Sequence, residues 1–176
     1  MTTEDTTITI RYFARILLAL LVATALGCGG GGGGGGGTTP PANPTKATLT
    51  FSIPSLPAGT QVGGVQFVIN LPTGVSPAIF SSCTTSGCDA SGSITLTGGG
   101  VNLLSATNYI SAANTATFAG ATTTGFGTGN FLTMNCVIAS GTTVTASSFS
   151  ISNIQVFDTS ANLIPSATVN MAVVLS

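Results

Sequence analysis

The chain of 176 residues has no histidine, no tryptophan and little charge, since only 4% of its residues are Asp, Glu, Lys or Arg. Beyond residue 27 the charged side chains are Lys46, Asp89 and Asp158. General acid–base catalysis, a serine–histidine–aspartate triad, a histidine metal site and a glycosidase carboxylate pair all need residue types that are missing or scarce here. A net charge of -1 also lacks the basic surface that binds nucleic acid or anionic lipid. We therefore expect no enzyme, no catalytic, cofactor-binding or metal-binding residues, and no nucleic-acid partner.

The two carboxylates beyond residue 27 lie in turn-like sequences. Asp89 stands in "CDASG" and Asp158 in "FDTSAN". Aspartate in such a turn usually accepts hydrogen bonds from nearby backbone N–H groups, and this is the role we expect. A calcium site that combines either carboxylate with backbone carbonyls is the alternative.

Apolar residues are plentiful, at 43%, and from residue 46 onward they alternate with polar ones. Alternation with a period of two predicts half-buried strands, and turn signals between the strands predict one β-sandwich over residues 46–176. Another strand is predicted around Phe118, and a change of phase near Asn153 predicts a β-bulge. Phe131 and Val137 are predicted to lie on the face opposite the core. The predicted core-facing residues are Ala47, Leu49, Phe51, Ile53, Val65, Phe67, Ile69, Leu71, Ile94, Leu96, Leu132, Met134, Cys136, Ile138, Phe149, Ile151, Ile154, Val156, Val169, Met171, Val173 and Leu175.

The N-terminal segment has the pattern of an export signal. Arg11 and Arg15 precede "ILLALLVATAL" at residues 16–26, and nine glycines follow Cys28. Eleven helical residues span about 16 Å, half of a hydrocarbon core, which is short for a membrane span and typical of a signal peptide. A buried core helix is the alternative, and the glycine tract disfavours it.

The junction Ala25-Leu26-Gly27-Cys28 resembles the lipobox of bacterial lipoproteins, although Ala25 and Leu26 stand in the reverse of the usual order. The resemblance implies cleavage after residue 27, a diacylglycerol on Cys28, and, because Gly29 is not aspartate, export to the outer membrane on its periplasmic or surface-exposed face. Cleavage by an ordinary signal peptidase is the alternative. The lipidated cysteine and the Gly/Pro-rich residues after it, 28–45, are predicted to form a tether with a reach of about 20–25 Å.

Three cysteines remain beyond the tether. Cys83 and Cys88 lie in the polar stretch "SSCTTSGCDASG", and export makes a disulfide between them plausible. Closing so short a loop would stabilise the fold by about 2 kcal/mol. Cys136 shares the predicted apolar face of its strand, so we expect a buried thiol. Pairing of Cys136 with one of the other two is the alternative.

Three stretches together resemble cohesin modules. They are "VGGVQFVINLPTGV", "TATFAGATTTGFGTGNFLTMNCVI" and "SFSISNIQVFDTSANLIP", and they extend over most of residues 46–176. The resemblance implies an all-β jelly-roll sandwich, related in fold to some carbohydrate-binding modules, and a dockerin-like protein partner. This chain departs from the pattern in lacking the charges that dockerin-binding faces usually carry.

These observations predict a non-catalytic binding module, tethered to the membrane through a lipid anchor, that recognises a protein of the cell envelope. A polysaccharide-binding module is the first alternative, although Tyr109 is the one tyrosine beyond residue 27 and tryptophan is absent. A structural or adhesive envelope protein with a neutral Ser/Thr surface is the second alternative.

Overall fold

The computed structural model describes residues 43–84 and 86–176. The predicted signal peptide, Cys28 and the tether up to residue 42 lie outside the described residues. Within the described residues no helix is long and apolar enough to cross a membrane.

The described residues form eleven strands in two antiparallel sheets, with short 3₁₀ turns between them. The first sheet has the order β11-β1-β9-β3, and β6 pairs with β9 beside β3; the second has the order β10-β2-β8-β7-β5-β4. The predicted fold class, an all-β sandwich, is confirmed. The strands are β1 Lys46–Ile53, β2 Val62–Asn70, β3 Val75–Pro77, β4 Ser81–Thr84, β5 Gly87–Asp89, β6 Ile94–Leu96, β7 Leu104–Ile110, β8 Thr115–Phe126, β9 Gly129–Ile138, β10 Ser150–Asp158 and β11 Asn170–Leu175.

The core lies between the two sheets and is rich in phenylalanine. Phe51 from the first sheet meets Phe67 from the second, with ring centroids 5.0 Å apart, and Phe118 lies 5.4 Å beyond Phe67. The alternating residues predicted for β1 and β2 are all buried. The alternation in the sequence therefore identified the buried face of both central strands.

The prediction that Phe131 faces solvent is wrong. We expected it on the solvent face of β9, but it is fully buried, 6.2 Å from Phe67 and 5.7 Å from Phe126 between ring centroids. The cause is a β-bulge: Phe51 pairs with Leu132 and Ser52 pairs with Asn130, so Phe131 has no partner on β1. The extra residue lets two consecutive side chains, Phe131 and Leu132, both enter the core.

The bulge predicted near Asn153 is confirmed. The pairing of β10 with β2 shifts between Ser152 and Gln155, and Asn153 has a left-handed backbone with φ of 52°. Asparagine tolerates this conformation better than most residues with a Cβ atom, which accounts for its place at the bulge.

Strands β3, β4, β5 and β7 were not predicted. In β7 the inward positions Thr107 and Tyr109 alternate with outward Leu104, Ala106 and Ile110, so the usual pattern of apolar residues inward is reversed. The stretch with Cys83 and Cys88, expected as a polar loop, instead forms the paired strands β4 and β5.

Candidate functional site

The outer surface of the second sheet carries a groove of about 740 Å³. We call it the outer groove and define it by its central residues Gly64, Leu104, Ala106, Ala119, Ala121 and Phe157. These residues come from four neighbouring strands, β10, β2, β8 and β7. The groove therefore lies on the middle of a sheet rather than among loops.

The strand register explains the groove. Phe157 pairs with Gly64, Gly64 with Ala121, and Ala121 with Leu104, which places the four side chains in one row across the sheet. The two inner positions of the row carry a hydrogen atom and a methyl group, while the outer two carry a phenyl ring and an isobutyl group. Side chains in such a row are direct neighbours, so the small pair forms a floor between two apolar walls.

Next to this row, the backbone packing requires a glycine at position 63. A Cβ atom on Gly63 would lie 2.5 Å from the carbonyl oxygen of Asp158 and 2.6 Å from the Cα of Thr159. The turn that follows β10 can approach β2 only because Gly63 has no side chain. That turn closes one end of the outer groove.

Leu104 is the most exposed large apolar residue of the described chain, with 85% of its surface accessible. A second depression, of about 410 Å³, lies on its other side and is lined by Asn102, Ala121 and three threonines. Leu104 therefore forms a ridge between two depressions. A single exposed leucine is ordinary, but one that lines two neighbouring depressions is well placed to contact a bound side chain.

The groove is nearly free of charge. Of the described residues that line it, Asp158 is the ionisable one. Its Oδ1 accepts hydrogen bonds from the N–H groups of Ser160 and Asn162, both at 2.8 Å, and its Oδ2 accepts one from Nδ2 of Asn162 at 3.1 Å. These hydrogen bonds lower the pKa of the Asp158 carboxyl, chiefly through Asn162. The carboxylate acts as the predicted turn cap.

The calcium alternative gains no support from the geometry. Both oxygens of Asp158 accept hydrogen bonds within the turn, and Oδ1 of Asp89 accepts the N–H of Ser91 at 2.9 Å. Within residues 43–84 and 86–176, no three acidic, histidine or cysteine side chains gather into a possible metal site.

The cysteines of the domain lie away from the groove. A disulfide joins Cys83 on β4 to Cys88 on β5, at the far edge of the second sheet beyond β7. Cys136 is unpaired and 1% exposed, and burial raises the pKa of its thiol to about 12. The thiol is therefore protonated at neutral pH and poorly reactive.

Tyr109 does not provide the aromatic surface that sugar binding would need. Its side chain is 3% exposed, its ring packs 5.5 Å from that of Phe80, and its hydroxyl donates to Oδ1 of Asn114 at 3.3 Å. Burial raises the pKa of the Tyr109 phenol. The tyrosine considered for stacking on a polysaccharide is thus part of the core.

Sequence reasoning missed the outer groove entirely. Two sequence features could have indicated it: the apolar pair in "NLLSAT" and the small residues in "FAGATTTG". These stretches become neighbours when β7 pairs with β8. Because β7 was not predicted, the sequence did not indicate whether Leu104 faces the core or the solvent.

Fold and site together define an antiparallel β-sandwich with a mostly apolar groove, lined by one carboxylate, on one outer face. No protein-family model and no curated protein sequence matches the chain. Two similar solved structures are cohesins. One is a non-cellulosomal cohesin from the hyperthermophilic archaeon Archaeoglobus fulgidus, with a TM-score of 0.49, 12% identity, and coverage of 69% of this chain and 74% of the cohesin. The other is a type II cohesin domain from the cellulosome of Acetivibrio cellulolyticus, with a TM-score of 0.44, 19% identity, and coverage of 76% and 88%. Both TM-scores are below 0.5, so the fold class stands on the strand pairing itself.

Proposed function

We propose that the described domain is a non-catalytic module that binds a partner protein through the outer groove. The observation that carries the proposal is the row from Phe157 to Leu104, in which two apolar walls flank a floor of Gly64 and Ala121. A concave apolar surface of this kind accepts a side chain or a strand of a partner and buries it away from water.

The chemistry of the groove specifies the kind of partner. Its lining is mostly apolar, and its uncharged polar residues are Gln66, Ser105, Thr122 and Thr159. Asp158, the ionisable residue of the lining, is already hydrogen-bonded within its own turn. Charge complementarity can therefore contribute little to binding. The partner surface should be apolar and uncharged, with a large aliphatic or aromatic side chain that fits between Leu104 and Phe157.

A protein partner fits the groove better than a polysaccharide does. Sugar-binding sites combine aromatic faces with several polar groups that fix the hydroxyls. Here Phe157 is the one aromatic side chain of the lining, its neighbours in the row are Gly64 and Ala121, and Tyr109 is buried under the opposite face of the same sheet.

The test is capture of partners from a cell-envelope extract by the wild-type chain and by two variants. Leu104→Asp places a charge on the ridge, whereas Val137→Asp places the same charge on the outer face of the other sheet, where Val137 is 41% exposed. We expect a protein that the wild type and Val137→Asp retain in about 1 M salt, where the screening length falls to about 3 Å, and that Leu104→Asp loses. Equal capture by all three proteins, or release by salt, would contradict the proposal.

The proposal includes a tether to the cell envelope, which rests on the sequence alone. Cys28 would carry the lipid, residues 1–27 would be removed, and the Gly/Pro-rich segment would hold the domain away from the outer membrane. Intact-mass spectrometry tests this directly. The expected chain begins at Cys28 with the added mass of a diacylglycerol, and the Cys28→Ala variant lacks that mass. An unlipidated wild-type chain that begins at another residue would refute the tether.

A further inference from the structure

Strand β11 lies at an edge of the first sheet with one side unpaired within the described residues. Lys46 and Ser176 exchange two backbone hydrogen bonds, of 2.9 and 3.0 Å. In an antiparallel pair the hydrogen-bonded positions alternate, so Asn170, Ala172 and Val174 bond to β1. The N–H and C=O groups of Met171, Val173 and Leu175 therefore point away from β1, toward the open edge.

The outermost strands at the other edges of the two sheets are each protected. β10 has the bulge at Asn153, and the N–H of Ile164 bonds to the carbonyl of Val156 at 2.8 Å, which covers the end of the strand. β3 has three residues and ends in Pro77, β6 has three residues, and β4 has four. Bulges, prolines, covering segments and short length are the devices that natural proteins use against pairing with another chain.

β11 lacks the bulge, the proline and the short length of the other edge strands. Its sequence NMAVVL has no charge and no proline, and its register with β1 is unbroken. The 3₁₀ turn Ala146–Ser148 packs near β11, but the N–H of Ser148 bonds to Thr145 and that of Phe149 to Ala146, within the turn. The open edge is thus an uncharged row of backbone groups without a hydrogen-bond partner among the described residues.

The side chains of β11 are also incompletely covered. Met171, Val173 and Leu175 face the core side of the sheet yet are only half-buried, because no strand of the described residues lies beyond them. On the other face Val174 is 63% exposed. A further strand at this edge would cover the first three and continue the apolar layer.

We infer that β11 pairs with β11 of a second copy of this chain. The pairing is antiparallel, with Val173 facing Val173 of the second copy and Met171 facing its Leu175. This register joins every unused N–H and C=O of the edge, two hydrogen bonds for each facing pair, and sets half-buried apolar side chains against one another. The same patch serves both copies, as a two-fold axis requires.

The lack of charge along β11 suits a second copy as the occupant, because two identical strands then bring no like charges together. Lys46, the basic residue of the described chain, lies opposite Ser176 at one end of the edge. In the proposed register the two copies of Lys46 lie at opposite ends of the interface, six residues apart along the strands at about 3.4 Å each and three strand spacings of about 4.8 Å apart across them. The separation is about 25 Å, so they do not repel each other appreciably. The interface is on the sheet opposite the outer groove and does not depend on the proposed function.

The experiment uses the full chain in a mild detergent, together with Val174→Lys and the matched control Thr95→Lys, at an exposed position of β6 in the same sheet. Position 174 faces Ala172 of the second copy and lies diagonally across from its own counterpart, so the substitution puts two like charges into the interface. Position 95 lies opposite Thr133 of β9, and both β9 and β1 separate it from the β11 edge. Unchanged circular dichroism and thermal melting would show that both variants fold.

Two measurements decide the matter. Sedimentation velocity should give twice the chain mass for the wild type and Thr95→Lys, and a single chain mass for Val174→Lys. Amide hydrogen exchange at Met171, Val173 and Leu175 should slow as the wild-type concentration rises, and stay fast in Val174→Lys. A wild type of single mass at every concentration, a dimer unaffected by Val174→Lys, or protection of these amides only when another protein is added would each overturn the inference.

Discussion

The burial of Phe131 gives the sharpest prediction about the fold. The ring is fully buried and has three aromatic neighbours, Phe67, Phe118 and Phe126, with centroids 6.2, 6.3 and 5.7 Å away. Truncation to alanine removes the ring from the middle of this cluster and leaves a cavity. Changes of this kind cost about 3–5 kcal/mol in the free energy of unfolding.

Urea unfolding of wild type and Phe131→Ala measures the loss, with an unchanged m-value as the check that the transition is still two-state. For a domain of this size the loss corresponds to a fall in Tm of roughly 12–20 °C. Val137→Ala on the same strand is the control, because Val137 faces solvent, and it should change stability by less than about 0.5 kcal/mol. A loss of less than about 1 kcal/mol for Phe131→Ala, or equal losses for both variants, would refute the assignment of Phe131 to the core through a bulge.

Three further predictions concern the turns and the disulfide. Asn153→Val should lower the free energy of unfolding by about 1–2 kcal/mol, because a β-branched residue resists a φ of 52°, whereas Asn153→Gly should change it little; an equal effect of both would contradict this. Reduction of the Cys83–Cys88 disulfide should cost about 2 kcal/mol in urea unfolding, and no change on adding reductant would speak against its oxidised state. Hydrogen bonds lower the pKa of the Asp158 carboxyl in the folded state, so the ionised carboxylate stabilises the fold above the unfolded pKa of about 3.9, and this stabilisation is lost as the pH falls through the folded pKa. Tm should therefore be constant from pH 8 to 5 and fall below about pH 4, and the fall should be smaller in Asp158→Asn. A wild-type Tm that already declines between pH 8 and 5 would contradict that assignment.

The parts of the fold that the sequence predicted are those where one face of a strand is apolar and the other polar. β1 and the central part of β2 follow this rule residue by residue, and the phase change at Asn153 marked its bulge correctly. The bulge at Phe131 produces no change of phase in the sequence, because Phe131 and Leu132 are both apolar and either could face inward. Which of them enters the core depends on the register with β1, a long-range property that local periodicity does not contain.

The outer groove was beyond sequence reasoning for a related reason. Its walls and floor lie on strands distant in sequence and meet only through the order β10-β2-β8-β7. In β7 the apolar residues point to solvent, so the strand itself was not recognised. The absence of catalytic residue types, by contrast, is a matter of composition and could be expected from the sequence, as could the turn roles of Asp89 and Asp158.

The central claim is that the outer groove binds a partner protein, and site-specific photo-crosslinking in living cells tests it most directly. A photoreactive amino acid is placed at Leu104 in one strain and at Val137, on the outer face of the other sheet, in a second strain. The account predicts a discrete cross-linked protein from position 104 and none from position 137. No adduct at position 104, or the same adduct from both positions, would contradict it.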